Sequence, residues 1–276
     1  MIPLGDDVAS HKLYLQQLRG GVLTPFENFM KERFVFDIEI LRDQVPHQLY
    51  IAGGSVLHYT KRRGTPENIA RQDGFYQNTD CDIYVHERHE LAVRQALVNQ
   101  MGVYVPRPQE GVNPANGQPN DYYNIHAPAP ANFFRRNFQE QLRRNNIGVV
   151  SNVMFGDKKV QIVGVIDDYP IEDVIRNFDF TICSLAYNLR TREFEPFQKQ
   201  GEDVLADINN NVMHIRKNYI KFLMAPDLFG ARLTKQRYEK YTRRGFRFIY
   251  PTRDDFVAVV MQTLEIGRDP GAQEDE

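Results

Sequence analysis

Tyr50-Ile51-Ala52-Gly53-Gly54-Ser55, followed further along by Asp80-Cys81-Asp82-Ile83-Tyr84-Val85, decides how this chain is read. The apolar run 49–52 is short and bounded by turn residues, the pattern of a buried strand. Gly53 and Gly54 end it, and two glycines permit both backbone angles closed to other residues and a close approach of the chain to a ligand. The next segment, 56–63, has a helical pattern, so its amino end would aim N–H groups at a phosphate. Asp80 and Asp82 lie two apart, which on a strand projects both carboxylates from one face and suits a hard cation. Strand, turn, helix and carboxylate strand, in this order, predict phosphate and metal chemistry of the kind used in nucleotidyl transfer: two ions about 4 Å apart activate the attacking oxygen and neutralise the leaving pyrophosphate.

The 276 residues suffice for one large domain or a domain with an appendage. A formal charge of -2 argues against a surface that coats nucleic acid throughout, so any RNA contact must be regional. The two cysteines, Cys81 and Cys183, stand alone inside predicted core elements, which excludes a disulfide framework and favours a reducing, intracellular compartment. No segment approaches the roughly 20 apolar residues that span a bilayer, so a soluble, cytoplasmic chain without a membrane partner is expected. Nothing in the sequence sets the oligomeric state.

Apolar spacing predicts helices over 11–24 and 26–44, a helical amino-terminal extension spanning 1–47. A core over 48–200 follows. It contains a polar loop at 64–79, a strand at 81–86, and a helix at 87–101 with Leu91, Val93, Ala96, Leu97 and Met101 buried. Gly102 precedes a short strand at 103–105. The proline-rich stretch 106–130 reads as a mobile loop, and 133–145 as a basic helix. Two β-rich runs, 147–155 and 158–166, flank Gly156-Asp157 as a hairpin. A short helix at 171–176 and paired strands at 180–189 and 192–197 complete the core. Residues 201–276 form a helical carboxy-terminal region, with helices at 226–244 and 253–265 and a frayed acidic tail.

A third stretch, Phe178-Asp179-Phe180-Thr181-Ile182-Cys183-Ser184-Leu185-Ala186-Tyr187-Asn188, joins the first two. Together they resemble the nucleotidyltransferase superfamily of DNA polymerase beta type, in particular the head domain of tRNA nucleotidyltransferases and poly(A) polymerases. Lys240-Tyr241-Thr242-Arg243-Arg244-Gly245-Phe246 is similar to a segment of nucleotidyltransferase-like proteins of large DNA viruses and phages, for which the host cytoplasm or the virion is the expected location. The resemblance implies an α+β fold with a mixed β-sheet flanked by helices. It also implies NMP transfer from an NTP to a hydroxyl acceptor, an RNA 3′ end among the candidates, with magnesium or manganese as cofactor. On this reading Asp80 and Asp82 hold the metal, Gly53, Gly54 and Ser55 hold the nucleotide phosphates, and Asp179 is a third catalytic carboxylate or a helix cap.

The chain also departs from the family. The paired arginines before the Asp are Asn177-Phe178 here, the base-selecting Glu-Asp-x-x-Arg motif is missing beyond residue 200, and the strand expected to supply another carboxylate offers Gln161, an amide that cannot act as a base. A catalytically inactive binding module or a viral structural protein of the same fold is therefore the alternative. Arg237, Lys240 and Arg244, interleaved with Tyr238 and Tyr241, are candidates to grip an acceptor's phosphates and bases, with a solvated helix face as the plain alternative. Arg62, Arg63, Arg135 and Arg136 are weaker candidates for the same work. His58 is expected to be a hydrogen-bonded interior histidine, and Cys81 a small buried residue facing away from the carboxylates.

Overall fold

Thr24 begins the first helix, α1 (Pro25–Phe34), by a reciprocal cap: its hydroxyl accepts from Glu27 N–H and the Glu27 carboxylate accepts from Thr24 N–H. This computed structural model describes residues 23–45, 47–100, 102–105, 143, 145–216, 219 and 231–249. Most of the expected helix at 11–24, whose last two residues are not helical, the loop at 106–130, most of the basic helix at 133–145, the helix at 253–265 and the acidic tail lie outside them. The single helix expected over 26–44 is instead two. Val35 turns left-handed at φ 64°, and Asp37 caps α2 (Ile38–Gln44) by accepting from Glu39 N–H.

β1 (Tyr50–Ala52) runs into the turn and then α3 (Gly54–Lys61). The segment expected as a loop at 64–79 holds a helix, α4 (Pro66–Phe75). Thr65 caps it and Pro66 occupies its first turn, strong start signals. It buries no residue, which is why apolar periodicity misses it. β2 (Cys81–His86), α5 (Glu87–Val98) and β3 (Val103–Val105) follow. Leu91 is exposed rather than buried, because the inward face of α5 runs through Glu90, Val93, Ala96 and Leu97. The hairpin is present as β4 (Ile147–Phe155) and β5 (Lys158–Val165), and α6 (Ile171–Arg176) matches its expected bounds. The strand expected from 180 starts later. Thr181–Ser184 is one 3-10 turn, after which come β6 (Leu185–Asn188), β7 (Glu193–Pro196), α7 (Val204–Asn209), β8 (Val212–His214), α8 (Ala231–Arg243) and β9 (Arg247–Ile249).

Seven strands form one sheet in the order β3-β4-β5-β2-β1-β6-β7. Within this sheet, among the described residues, only β2 and β5 pair in parallel, so the sheet is mixed and the α+β architecture is the expected one; β8 and β9 form a separate parallel pair in the region expected to be helical. Alternation along β2 separates two cores. Cys81, Ile83 and Val85 join the large core under α1, α2, α3 and α5, which also takes in Tyr241 and Phe246. Tyr84 joins a smaller core under α6 on the opposite face, the face that carries Asp82. The fully buried Glu27 ties α1 to the far sheet edge: it accepts from Tyr187 and Arg192 and pairs with Arg42. Removing one partner of so buried a network leaves an uncompensated charge.

His58 on α3 is an interior histidine as expected, 1% exposed. Its Nε2 lies 2.7 Å from Asp73 Oδ1 and its ring stacks on Tyr76. Burial pushes its pKa down to about 4, against the opposing pull of Asp73. The folded ring is therefore neutral between pH 6.5 and 4, whereas the unfolded chain takes up a proton there, so stability falls as pH falls through that window. From pH 7 to pH 5 this loss amounts to about 2 kcal/mol. Urea denaturation at the two pH values should show it, and His58→Gln should remove that much of the acid-side slope; parallel slopes in the two proteins would contradict the assignment.

Candidate active site

Gly53 has φ 76° and ψ -137°, a conformation that a side chain resists. A Cβ there would sit 3.2 Å from Asp82 Oδ2, so the turn backbone and the carboxylate are held against each other. The pairing that causes this is the sheet register: Ala52, the residue before Gly53, is the Cα partner of Asp82. Gly54 is confined from the other side, where a Cβ would come within 2.7 Å of Thr79 Cγ2. Both glycines are thus needed for separate reasons, one conformational and one steric.

Asp82 is half-buried, and its other register partner is Gln161 on β5. The Gln161 amide donates to Asn152 Oδ1 at 3.2 Å, so an amide pair stands where a further carboxylate was conceivable. Burial and the neighbouring Asp80 carboxylate push the Asp82 pKa up to about 6, opposed by the charges of Lys240, Lys159 and Arg237. Asp80 is more open and pairs with Lys159 Nζ at 2.6 Å. Lys159 was not foreseen. It lies two before Gln161 and so shares its face, but only the parallel register of β2 with β5 shows which carboxylate it meets.

Asp179 is 2% exposed; its Oδ1 accepts from Phe180 N–H, and its Oδ2 takes Arg237 Nη1 at 2.9 Å. It caps no helix: the cap position of the 3-10 turn Thr181–Ser184 is Phe180, and that turn has no side-chain cap. Arg237 acts on both acidic centres, paired with Asp179 and pulling on Asp82. Burial lowers the pKa of Lys240, on which the charges of Arg244, Arg237 and Asp82 also act. Arg244 donates to Thr79 Oγ1 and to Phe75 O and lies over the Tyr76 ring. Arg237, with its side chain 48% exposed, thus pairs with Asp179 from the edge of the site, whereas Arg244 is buried against Thr79 and Tyr76 and meets no carboxylate. Ser55 points elsewhere: its hydroxyl is fully buried beside the Cys81 thiol, on the far side of β2, so only its backbone N–H is at the turn. Arg62 is bound to Asp73, and Arg135 and Arg136 lie outside the described residues.

Among the described residues no group of three or more His, Cys, Asp or Glu side chains is arranged to hold a metal. A magnesium ion does not require one, since it commonly takes one or two carboxylates and completes its shell with water and substrate phosphates. Asp80, just before β2, and Asp82, within it and beside the Gly53 turn, fit that donor set. Among the described residues no helix is long and apolar enough to cross a membrane.

The space beside Gly53 predicts opposite outcomes for two glycine substitutions. Gly53→Ala should destabilise the chain by about 1–3 kcal/mol through backbone strain and pressure on Asp82. Gly74→Ala, in α4 with nothing near its added methyl, should stabilise it by about 0.5–1 kcal/mol. Chemical denaturation of both variants measures the contrast, and a neutral Gly53→Ala would show that the turn is not so constrained.

Several solved structures are similar to the chain at low identity. A tRNA-processing enzyme in an apo form is 14% identical with a TM-score of 0.47, over 89% of this chain and 49% of that one. The Thermotoga maritima CCA-adding enzyme complexed with tRNA is 15% identical with a TM-score of 0.46, over 87% and 43%. A CCA-adding enzyme with CTP is 14% identical with a TM-score of 0.47, over 93% and 46%. The chain spans about half the length of these proteins. No curated protein matches it. Residues 25–209, more than half of the chain, match the model described as the Gabija anti-defense 2 family, and the chain belongs to that family.

Proposed function

We propose that the chain is a metal-dependent nucleotidyltransferase that moves a nucleoside monophosphate from an NTP to a hydroxyl acceptor, and that this transfer serves the anti-defense role for which its family is named. The observation that supports this most is the contact between the Gly53 backbone and the Asp82 carboxylate, which sets a phosphate-accepting turn against a two-carboxylate strand face. On this reading the partners are an NTP as substrate and RNA as a candidate acceptor.

In the reaction the acceptor oxygen attacks the α-phosphorus, and the bond to the oxygen bridging the β-phosphorus breaks. Asp80 and Asp82 would hold the metal, which when bound supplies charge neutralisation for the phosphates and activates the attacking oxygen. The α3 amino end, with Gly53 and Gly54, orients the phosphates through backbone N–H groups. Gln161 cannot take the acceptor's proton, which leaves Asp80 and Asp82 as the proton acceptors of this strand pair. Asp179 positions Arg237 beside Asp82.

A second reading, a binding module of the same fold without catalysis, is favoured by one arrangement. Gln161 replaces a carboxylate, and Lys159 already neutralises Asp80. Labelled NTPs incubated with the chain, magnesium or manganese, and either mixed RNA or the Gabija proteins distinguish the two. Transfer of label with release of pyrophosphate, reduced about 100-fold or more in Asp80→Asn and Asp82→Asn, is the expected result. NTP binding without turnover under every metal and acceptor would instead establish the second reading.

A further inference from the structure

Arg244 follows α8 directly and is 6% exposed, yet its guanidinium is only partly used. Nε donates to Phe75 O at 3.3 Å and Nη2 to Thr79 Oγ1 at 2.5 Å. The guanidinium carbon lies 4.0 Å from the Tyr76 ring centroid and 5.7 Å from that of Tyr241, so its plane is held from both elements. Nη1 has no acceptor among the described residues. A buried charged donor without a partner is destabilising, so a fixed guanidinium in this state points to a ligand.

The direction of the spare donor identifies the ligand's place. Nη1 lies 3.8 Å from the point that a Cβ on Gly54 would occupy, at the first residue of α3. That helix has no side-chain cap, so its first N–H groups are also unmet by side chains. The spare guanidinium nitrogen and the uncapped first turn of α3 are thus neighbours, with Thr79 packed against both, and the charge of Arg244 acts on Lys240. The charge and the fork geometry suit phosphate oxygens.

We propose that Arg244 binds the terminal phosphates of the NTP at the amino end of α3 and stabilises pyrophosphate as it leaves. This deepens the transferase reading and rests on it for the identity of the anion. The sequence offers Arg244 as an acceptor-gripping residue; its placement gives it to the nucleotide instead. Charge gathers on the bridging oxygen and the departing pyrophosphate when the α-phosphorus bond breaks, and a cation pre-oriented by Thr79, Phe75 and Tyr76 meets that charge without reorganising.

Calorimetric binding of pyrophosphate with magnesium to the full chain, beside NTP turnover, tests the assignment. Arg244→Lys keeps the charge and loses the fork, and should weaken pyrophosphate binding and raise KM for NTP by about tenfold. Thr79→Val keeps the arginine but frees its plane, and should weaken binding by about threefold; it carries the test if Arg244→Lys does not fold, as judged by thermal melting. Equal pyrophosphate affinity in the wild type and the folded variants, with NMP transfer intact, overturns the role of Arg244 and leaves the transferase standing. Arg244-dependent binding without any transfer upholds the phosphate site and sinks the transferase. A wild-type chain that binds no pyrophosphate overturns the assignment.

Discussion

The contact between the Gly53 backbone and the Asp82 carboxylate constrains everything around it. Antiparallel pairing of Ala52 with Asp82 brings the end of β1 beside the acidic strand, and a residue without Cβ, at positive φ, leaves β1 there and enters α3 without strain. The turn in turn aims α3, and α3 carries His58 to Asp73 and Tyr76 on the polar helix that follows. That helix then delivers Thr79 and Tyr76 to Arg244. A displaced turn would therefore move the acidic strand's neighbour, the helix amino end and the arginine's supports together.

Charge balance is the second theme. Asp80 meets Lys159, Asp179 meets Arg237, and Asp82, pushed up by burial and by Asp80, has Lys240, Lys159 and Arg237 as its opposing charges. The basic residues come from β5 and from α8, far apart in sequence, and they converge because β5 runs parallel to β2 while α8 reaches the same end of the sheet. Such a balance lets two carboxylates stand close in a chain with little net charge.

Strands and hairpins were legible because apolar runs and turn residues are local signals: β2, β3, α6 and the β4–β5 hairpin stand almost where the pattern puts them. The polar helix α4 was not, since a helix that buries no residue has no apolar stripe to read; its Thr65-Pro66 start was the available signal. The Asp80, Asp82 and Gly53 cluster was legible from spacing alone. The partners of the charged residues were not, because Lys159 with Asp80 and Arg237 with Asp179 depend on register and on packing between distant elements. Ser55 illustrates the limit from the other side: its motif suggests a phosphate ligand, and its side chain turns into the core beside Cys81.

On the proposed function, one space bounded by Asp80, Asp82 and the Gly53–Gly54 turn receives both metal and nucleotide. A crystal structure of the chain with manganese and a non-hydrolysable NTP analogue tests it most directly. Anomalous density for manganese between Asp80, Asp82 and the triphosphate, with the phosphates against the turn, is the expected result. Nucleotide bound elsewhere, or Asp80 still paired with Lys159 and no metal beside either carboxylate, would contradict it.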